Sequence, residues 1–398
     1  MTGFGKHALE HLPSDLAAVG ARKPLVITDK SVTERKGTAP LINAFRESGM
    51  TIGIVDSVND SSNGDTVREI SHRYMNRGFD SILALGSFHV ANLAKVVNLS
   101  ISDLGASLQS LSKAGRINTP LKPFFLIPSG SGSGFETSGE AAVDSLSFSS
   151  PFLMPDKVII DPRLMAEDCL ENAANEAMAT LACCTEAHGV TPNPLVRSYA
   201  STAITLVMEN IELALESFFN PGKPGLFSKK ASDKGQIQAR LASAAAMNGY
   251  VFSNCHDLVT VKLGRSLAGL SPVKPGILMA ILLPSVLEYR SGKGMEPMER
   301  LMLPLAGVDS YCATPEAQRF DQAMAMVRNL INGLFQRSCA AIPRTLEDAG
   351  IQLKELTQLA ADWPVKDGCG LSKDEIGIIL AHAHSGKPMK QGKCHVRT

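Results

Sequence analysis

The feature that most constrains the fold of this chain is a change in its pattern of apolar residues near residue 165. Over residues 24–161, short β-branched runs alternate with longer amphipathic stretches. The predicted strands cover residues 24–28, 51–55, 81–85, 124–128 and 157–160. Strands that alternate with helices in this way are typical of βαβ units, which build a largely parallel sheet. The first part of the chain is therefore predicted to be an α/β domain.

After residue 165 the pattern favours helices alone. Apolar residues recur at helical spacing over 204–215, while Thr205, Glu209 and Glu212 fall on the other side. Further helices are predicted at 236–248, 276–287, 315–335 and 373–383, and residues 220–234, rich in Gly, Lys and Ser, are predicted to form a surface loop. A single hydrophobic core does not usually grow to 398 residues, so we expect two domains, at 1–165 and 166–398.

Charge and cysteine usage restrict the classes of partner and compartment. Lys+Arg and Asp+Glu both number 39, and no block of like charge stands out, so we expect a small-molecule ligand and no nucleic acid. The eight cysteines contain no Cys-x-x-Cys pair, which indicates reduced thiols in a cytoplasmic protein. Residues 1–13 lack the apolar core of a signal peptide, and the most apolar run, 277–287, is too short to span a membrane.

The segment with the clearest chemical pattern follows the predicted strand at 124–128. Residues 129–134 alternate serine and glycine. Glycine lets backbone N–H groups approach a phosphate closely, and serine hydroxyls add donors, so the pattern suits an anion-binding turn. The same composition suits a flexible loop. The residues match neither a P-loop nor a Gly-x-Gly-x-x-Gly turn, so composition leaves both interpretations open.

Several segments together resemble the iron-dependent (group III) alcohol dehydrogenase family. Residues 78–95 are similar to the strand, glycine loop and helix that hold the cofactor pyrophosphate, and 128–136 match the family's Pro-Thr-Thr-x-Gly-Thr-Gly-Ser-Glu. Residues 155–164, 252–254 and 282–284 match further family segments. The resemblance covers most of the chain. It implies an N-terminal Rossmann-like α/β domain followed by an all-α C-terminal domain, the dehydroquinate synthase/iron alcohol dehydrogenase-like arrangement.

The resemblance implies that NAD or NADP is the cofactor. The implied cofactor-binding residues are Asp29, Gly86, Ser87, Ser129, Gly130, Ser133 and Leu164. Asp29 stands where the family aspartate meets the adenosine ribose, and a carboxylate there favours NAD because it repels a 2′-phosphate. The family's Gly-Gly-Gly-Ser is here Gly86-Ser87-Phe88-His89, and the aspartate that follows is Asn92. Phe88 and His89 add bulk beside the phosphate, which we expect to weaken or redirect dinucleotide binding.

The family's metal ligands are replaced in this chain. In the motif that aligns with residues 177–187, the aspartate ligand becomes Ala179 and a histidine ligand becomes Cys183. Counted from Phe252 without gaps, the other two histidine ligands fall on Val261 and Pro275. Ala, Val and Pro side chains have no lone pair, and an iron or zinc site normally takes three or more protein ligands. We therefore predict no metal at the family position.

Other polar residues near these positions raise two alternatives. A relocated metal site would draw on two segments, with the candidate ligands His256, Asp257, Cys183, Cys184, Glu186 and His188. We favour the alternative in which the cysteines are small buried apolar residues and the Glu and His are surface or capping groups. Arg265 stands where the family has a further active-site histidine, so it is a candidate ligand for a carboxylate or phosphate, against the simpler alternative of a local ion pair. Arg265, Cys183 and His256 are thus the candidate substrate-site residues.

Three functional hypotheses follow. The first is an NAD(P)-dependent oxidoreductase that acts on a small alcohol or aldehyde, as the resemblance implies, without the usual metal. The second is a non-catalytic nucleotide-binding or interaction protein on the same fold, because fold alone does not determine function. The third is a different reaction in which Arg265 binds an anionic substrate. No catalytic acid or base is identified from the sequence. The resemblance also implies a homodimer.

Overall fold

The computed structural model describes residues 2–59, 62–103, 105–113, 115, 117–166, 169–219, 231–255, 257–294, 298–364 and 370–389. The chain divides into two compact units. The first comprises Met1–Glu167 and Ser228–Gly249, and the second comprises Asp168–Phe227 and Tyr250–Thr398. Within the described ranges, no helix is both long and apolar enough to cross a membrane.

The first unit is built on a six-stranded parallel sheet with the order β1-β8-β5-β4-β2-β3. Its strands are β1 (Thr2–Phe4), β2 (Pro24–Asp29), β3 (Gly53–Val58), β4 (Ser81–Gly86), β5 (Phe124–Pro128) and β8 (Lys157–Ile160). The antiparallel hairpin of β6 (Glu140–Val143) and β7 (Leu146–Ser149) lies beside it. All five predicted strands are confirmed. Strand β1 and the hairpin were not predicted, because these short segments, Thr2–Phe4, Glu140–Val143 and Leu146–Ser149, lack the continuous β-branched and apolar run that marks β8.

The sheet separates two hydrophobic clusters, since successive side chains of a strand point to opposite faces. Leu25, Ile27 and Ile82 belong to one cluster, whereas Val26 and Leu83 belong to the other. Because both faces of the sheet are buried, the sequences of these strands are continuous runs of apolar residues. The helices of this unit are α1 (Leu12–Ala18), α2 (Lys30–Glu34), α3 (Thr38–Phe45), α4 (Gly64–Arg77), α5 (Phe88–Ser102) and α6 (Leu108–Leu111).

The strand order creates a topological switch point between β2 and β4. Strand β2 pairs with β3 on one side and with β4 on the other, so the chain leaves β2 in one direction and returns past it to form β4. In open α/β sheets, ligands bind beyond the carboxyl ends of the strands at such a point. The ends of β2 and β4 are Asp29 and Gly86.

All regular secondary structure among the described residues of the second unit is helical, which confirms the predicted fold class. Its helices are α7 (Leu170–Val190), α8 (Pro194–Phe219), α10 (Val259–Leu267), α11 (Pro275–Gly292), α12 (Met302–Ala313), α13 (Glu316–Arg337), α14 (Leu353–Asp362) and α15 (Lys373–Ser385). Helices α7 and α11 are buried along most of their length and pack against each other. Helix α9 (Ala231–Ser253) contributes its first part to the first unit and its last turn to the second.

Two expectations about the region of α9 differ from the structure. The predicted domain boundary assigned residues 236–248 to the second domain, but Ala239 and Ala242 pack in a core cluster of the first unit. Helical periodicity identifies an apolar face without identifying the surface that covers it. The predicted loop at 220–234 is wrong for residues 231–234, which begin α9, whereas residues 220–230 lie outside the described residues.

Candidate functional site

Asp29 and Gly86 meet at the carboxyl ends of β2 and β4. Asp29 is the N-cap residue of α2. Its Oδ1 accepts hydrogen bonds from the Val32 N–H at 2.9 Å and the Ser31 hydroxyl at 2.7 Å. A Cβ atom at Gly86 would lie 2.6 Å from Val90 Cγ2 and 3.2 Å from Asp29 Oδ2. Glycine is therefore required at residue 86, and the second carboxylate oxygen of Asp29 lies on the Gly86 side.

The first turn of α5 follows directly from Gly86. Ser87 occupies the N-cap position, but its side chain makes no capping hydrogen bond to the helix. The first backbone N–H groups of a helix have no partner within the helix, which makes such a turn suited to a phosphate. The rings of Phe88 and His89 lie edge to face at the same turn, with centroids 5.7 Å apart. Interference of these two rings with a pyrophosphate stays a prediction.

The serine and glycine residues 129–134 are buried and hydrogen bonded within the first unit. The Ser129 N–H donates to the Gly86 carbonyl at 3.1 Å, and the Ser129 carbonyl accepts from the Ala166 N–H at 2.8 Å. The Ser133 N–H and hydroxyl both donate to the Glu136 carboxylate, at 3.3 and 3.1 Å. Asn248 donates to the Ser133 carbonyl at 2.7 Å. The loop is therefore a fixed element joined to the end of β4, not a free connector.

The remaining two predicted cofactor residues lie in different surroundings. Gly130 is buried within the same loop. Leu164 is a buried member of the second hydrophobic cluster, with Val26 and Leu83. Its backbone N–H donates to the Asp161 carbonyl at 3.0 Å. Leu164 is thus part of the hydrophobic core on that face of the sheet.

Two polar residues of α5, Asn92 and Lys95, hold the segment that follows the loop at 129–134. The sequence alone indicated no role for them. The Asn92 amide donates to the Ala142 carbonyl at 2.5 Å and accepts from the Ala142 N–H at 2.8 Å. The Lys95 ammonium donates to the carbonyl oxygens of Phe135, Ser138 and Glu140, at 3.2, 2.7 and 3.0 Å. Burial lowers the pKa of Lys95 to about 7. The sequence signal was a lysine within an otherwise apolar helical stretch.

The four metal-ligand positions of the family lie on helices that meet in the second unit. Ala179 and Cys183 are buried one turn apart on α7. A Cβ atom at Gly276, next to Pro275 at the start of α11, would lie 2.8 Å from Ala179 Cβ. Val261 is buried on α10, where the following turn at Gly264 packs against Met279 and the Pro275 carbonyl. Close packing of apolar residues thus occupies this region.

The donor atoms in this region do not match an iron or zinc site. Ala179, Val261 and Pro275 offer no lone pair, and burial raises the pKa of the Cys183 thiol well above its usual range. A protonated thiol is a poor metal ligand. In the described part of the chain, no cluster of three or more His, Cys, Asp and Glu side chains is placed to hold a metal ion. His256 lies outside the described residues.

The other predicted residues near this region have identifiable roles. The buried Glu186 carboxylate accepts hydrogen bonds from the first N–H groups of α10, Val259 at 2.9 Å and Thr260 at 2.8 Å. It also pairs with the buried Arg290 guanidinium at 3.2 Å. Glu186 is therefore a capping residue, as favoured above. The surface position favoured for His188 is wrong, because His188 is buried and burial lowers its pKa to about 4.

Arg265 supplies the positive charge that acts on Cys183. Its guanidinium lies over the Phe252 ring at 5.1 Å from the centroid, while the side chain stays exposed. Its charge favours the Cys183 thiolate and so opposes the rise in the Cys183 pKa caused by burial. Cys255 also influences Cys183, and burial raises the pKa of Cys255 to about 11. Arg265 thus acts on the buried Cys183 through its charge, and a shared substrate site for these two residues stays a prediction.

Comparison with known proteins relates this arrangement to one family. The family model for iron-containing alcohol dehydrogenases matches residues 2–162. The 1,3-propanediol dehydrogenase of Klebsiella pneumoniae is 23% identical over 398 aligned residues, which cover 94% of this chain and 93% of the relative. The 4-hydroxybutyrate dehydrogenase of Cupriavidus necator is 23% identical and covers 71% of this chain and 74% of the relative.

Solved structures share the fold over nearly the whole chain. The crystal structure of a 1,3-propanediol oxidoreductase superposes with a TM-score of 0.78 at 20% identity, covering 96% of this chain and 97% of that chain. An alcohol dehydrogenase from Oenococcus oeni superposes with a TM-score of 0.79 at 18% identity, covering 96% and 98%. At these identities the superpositions establish the fold.

Proposed function

We propose that this chain is an NAD(P)-dependent oxidoreductase of the iron-containing alcohol dehydrogenase family, acting on a small alcohol or aldehyde. The observation that carries the proposal is the meeting of Asp29 and Gly86 at the switch point between β2 and β4. A glycine at this point lets a pyrophosphate approach the N-terminus of α5, and the neighbouring carboxylate suits a ribose hydroxyl. Bound there, the nicotinamide cofactor supplies hydride-transfer chemistry.

We further propose that the reaction does not use a metal at the family position. The support is the donor set, because three of the four positions carry side chains without a lone pair and the fourth is a buried thiol with a raised pKa. Arg265 is then our candidate for the cationic group that orients a polar substrate. The names of the relatives, 1,3-propanediol dehydrogenase and 4-hydroxybutyrate dehydrogenase, favour short hydroxy compounds and the matching aldehydes as substrates.

One observation favours a second candidate function, a nucleotide-binding protein without catalysis. Alcohol oxidation and aldehyde reduction both require a group that exchanges a proton with the substrate oxygen. Near the family metal position, Cys183 is a buried thiol with a raised pKa, and Ala179, Val261 and Pro275 carry no titratable group. A cofactor site without such a group would bind NADH and leave it unreacted.

A single set of assays separates the two functions. Binding of NADH and of NADPH is measured by fluorescence titration, and consumption of each cofactor is followed with propanal and succinate semialdehyde, with and without EDTA. We expect binding of at least one of the two cofactors and an aldehyde-dependent rate that EDTA leaves unchanged. Binding without consumption would favour the non-catalytic function, and binding of neither cofactor would contradict both functions. A rate that appears only after addition of iron or zinc would contradict metal independence.

A further inference from the structure

The second unit contains a cavity of about 230 Å³ that is separate from the family metal position. It is formed by the middle of α11, by α13, by the turn at residues 344–345 and by the end of α15. Ser285 lines the cavity and follows Pro275 by ten residues on α11, which is about 15 Å along a helix axis. The cavity is therefore separate from the family metal position, which lies at the start of the same helix.

The charged side chains that line the cavity are all positive. Arg328 and Arg344 belong to the lining, and no carboxylate does. The two nitrogens at the end of Arg328 donate to the Glu288 carboxylate at 2.8 and 3.1 Å, so this guanidinium is held in one plane. Arg344 Nε donates to Asp348 at 3.2 Å, and the guanidinium lies over the Phe335 ring, 4.5 Å from its centroid. Both carboxylates lie outside the lining.

Several donor groups of the lining residues remain unused. Within the residues that the structure describes, the two Nη groups of Arg344, the Asn332 amide and the Ser285 hydroxyl have no hydrogen-bond partner. Ser285 is only 2% exposed, so its hydroxyl gains little from bulk water. These donors come from three elements, α11, α13 and the turn at 344–345, and so surround the cavity on different sides.

We propose that this cavity binds a small oxyanion, with a phosphate group as the preferred ligand. A guanidinium fork matches two phosphate oxygens, and charge-assisted hydrogen bonds of this kind are among the strongest in proteins. A tetrahedral anion presents oxygens toward all three donor elements, whereas a carboxylate presents its two oxygens in one direction. The site would serve free phosphate or the phosphate group of a small metabolite, and it is independent of the nucleotide site proposed for the first unit.

The test is calorimetric titration of the full chain with inorganic phosphate, at constant ionic strength set with chloride and without NADH. We expect saturable binding near one phosphate per chain, weakened roughly tenfold or more in Arg344→Ala and in Asn332→Ala, since each variant removes a donor to a charged ligand. Arg337→Ala is the matched control, because Arg337 also pairs with one carboxylate, Glu212 at 3.3 Å, and lies over one ring, Phe219 at 4.6 Å, but lines no part of this cavity.

Three results would overturn the proposal. The first is an equal phosphate affinity in the wild type and in Arg344→Ala. The second is an equal loss of affinity in Arg337→Ala, which would mean that phosphate responds only to surface charge. The third is tighter binding of acetate than of phosphate under the same conditions. Thermal unfolding of each variant in chloride alone separates a binding defect from a folding defect.

Discussion

At the scale of single residues, Asp29 combines a structural and a proposed binding role through its two oxygens. Oδ1 accepts the capping bonds of α2, and no hydrogen bond among the described residues uses Oδ2, which lies on the Gly86 side. A carboxylate at this place disfavours NADP because it repels the additional 2′-phosphate. Asp29 is therefore proposed to influence cofactor choice while it also stabilises the start of α2.

Replacing Asp29 with Asn tests this separation of roles. The amide oxygen still accepts from the Val32 N–H, so we expect a change in the free energy of unfolding below about 0.5 kcal/mol. Loss of the negative charge should raise the ratio of NADPH to NADH affinity roughly fivefold or more, since like charges a few ångströms apart repel by about 1 kcal/mol in water. Parallel fluorescence titrations give the ratio. Asp65→Asn, at an exposed carboxylate in the first turn of α4, should leave it unchanged.

At the scale of secondary-structure elements, Glu186 connects three helices of the second unit. It projects from α7, caps the N-terminus of α10 and pairs with Arg290 on α11. A buried carboxylate is stable only when its oxygens are fully engaged, and here two backbone N–H groups and a guanidinium engage them. Glu186 thus has a structural role that does not depend on metal ligands.

We expect Glu186→Gln to lower the free energy of unfolding by about 3 kcal/mol, because the amide loses one acceptor and leaves Arg290 without its buried counter-charge. Urea denaturation followed by circular dichroism measures the change. Glu212→Gln is the control, since that exposed carboxylate pairs with Arg337 at 3.3 Å and its loss should cost less than about 1 kcal/mol. Equal costs for the two variants would show that the capping of α10 contributes little.

Asn92 has a similar connecting role in the first unit, where it joins α5 to the hairpin strand β6. Asn92→Asp restores the family residue but removes the donor to the Ala142 carbonyl and places negative charge against that oxygen. We expect a loss of about 1–3 kcal/mol in stability and faster amide hydrogen exchange in β6 and β7. The control is Asn43→Asp at an exposed position. The new carboxylate can still accept the hydrogen bond that Arg46 donates to Asn43 Oδ1. Unchanged exchange in the hairpin after Asn92→Asp would contradict this role.

At the scale of the whole molecule, the two units differ in how much of the family's chemistry their residues support. The first unit keeps a glycine and a carboxylate at the switch point of its sheet. The second packs Ala179 against the start of α11 at the metal position. Cofactor binding and metal binding are therefore expected to be separable in this chain.

Elemental analysis of the full chain tests that separation. After incubation with Fe²⁺ or Zn²⁺ and desalting, we expect well under about 0.2 metal ions per chain, since a tight site requires a complete set of deprotonated ligands. A zinc protein processed in parallel checks that desalting retains bound metal. A value near one ion per chain would show that a site exists, and Cys183→Ala and His256→Ala would then determine whether those residues form it.

The sequence by itself determined the alternation that builds the parallel sheet and the change to helices after residue 165, and through the family resemblance it predicted that Ala179, Val261 and Pro275 stand at ligand positions. Side-chain periodicity and side-chain chemistry are local properties, so both can be identified from the sequence without a structure. Only the tertiary structure decided that the first part of α9 packs with the sheet, that Glu186 caps a helix beginning 73 residues later, and that Ser285, Asn332 and Arg344 share one cavity. Such contacts join residues far apart in the chain, and their energies depend on which surfaces meet, which no local pattern specifies.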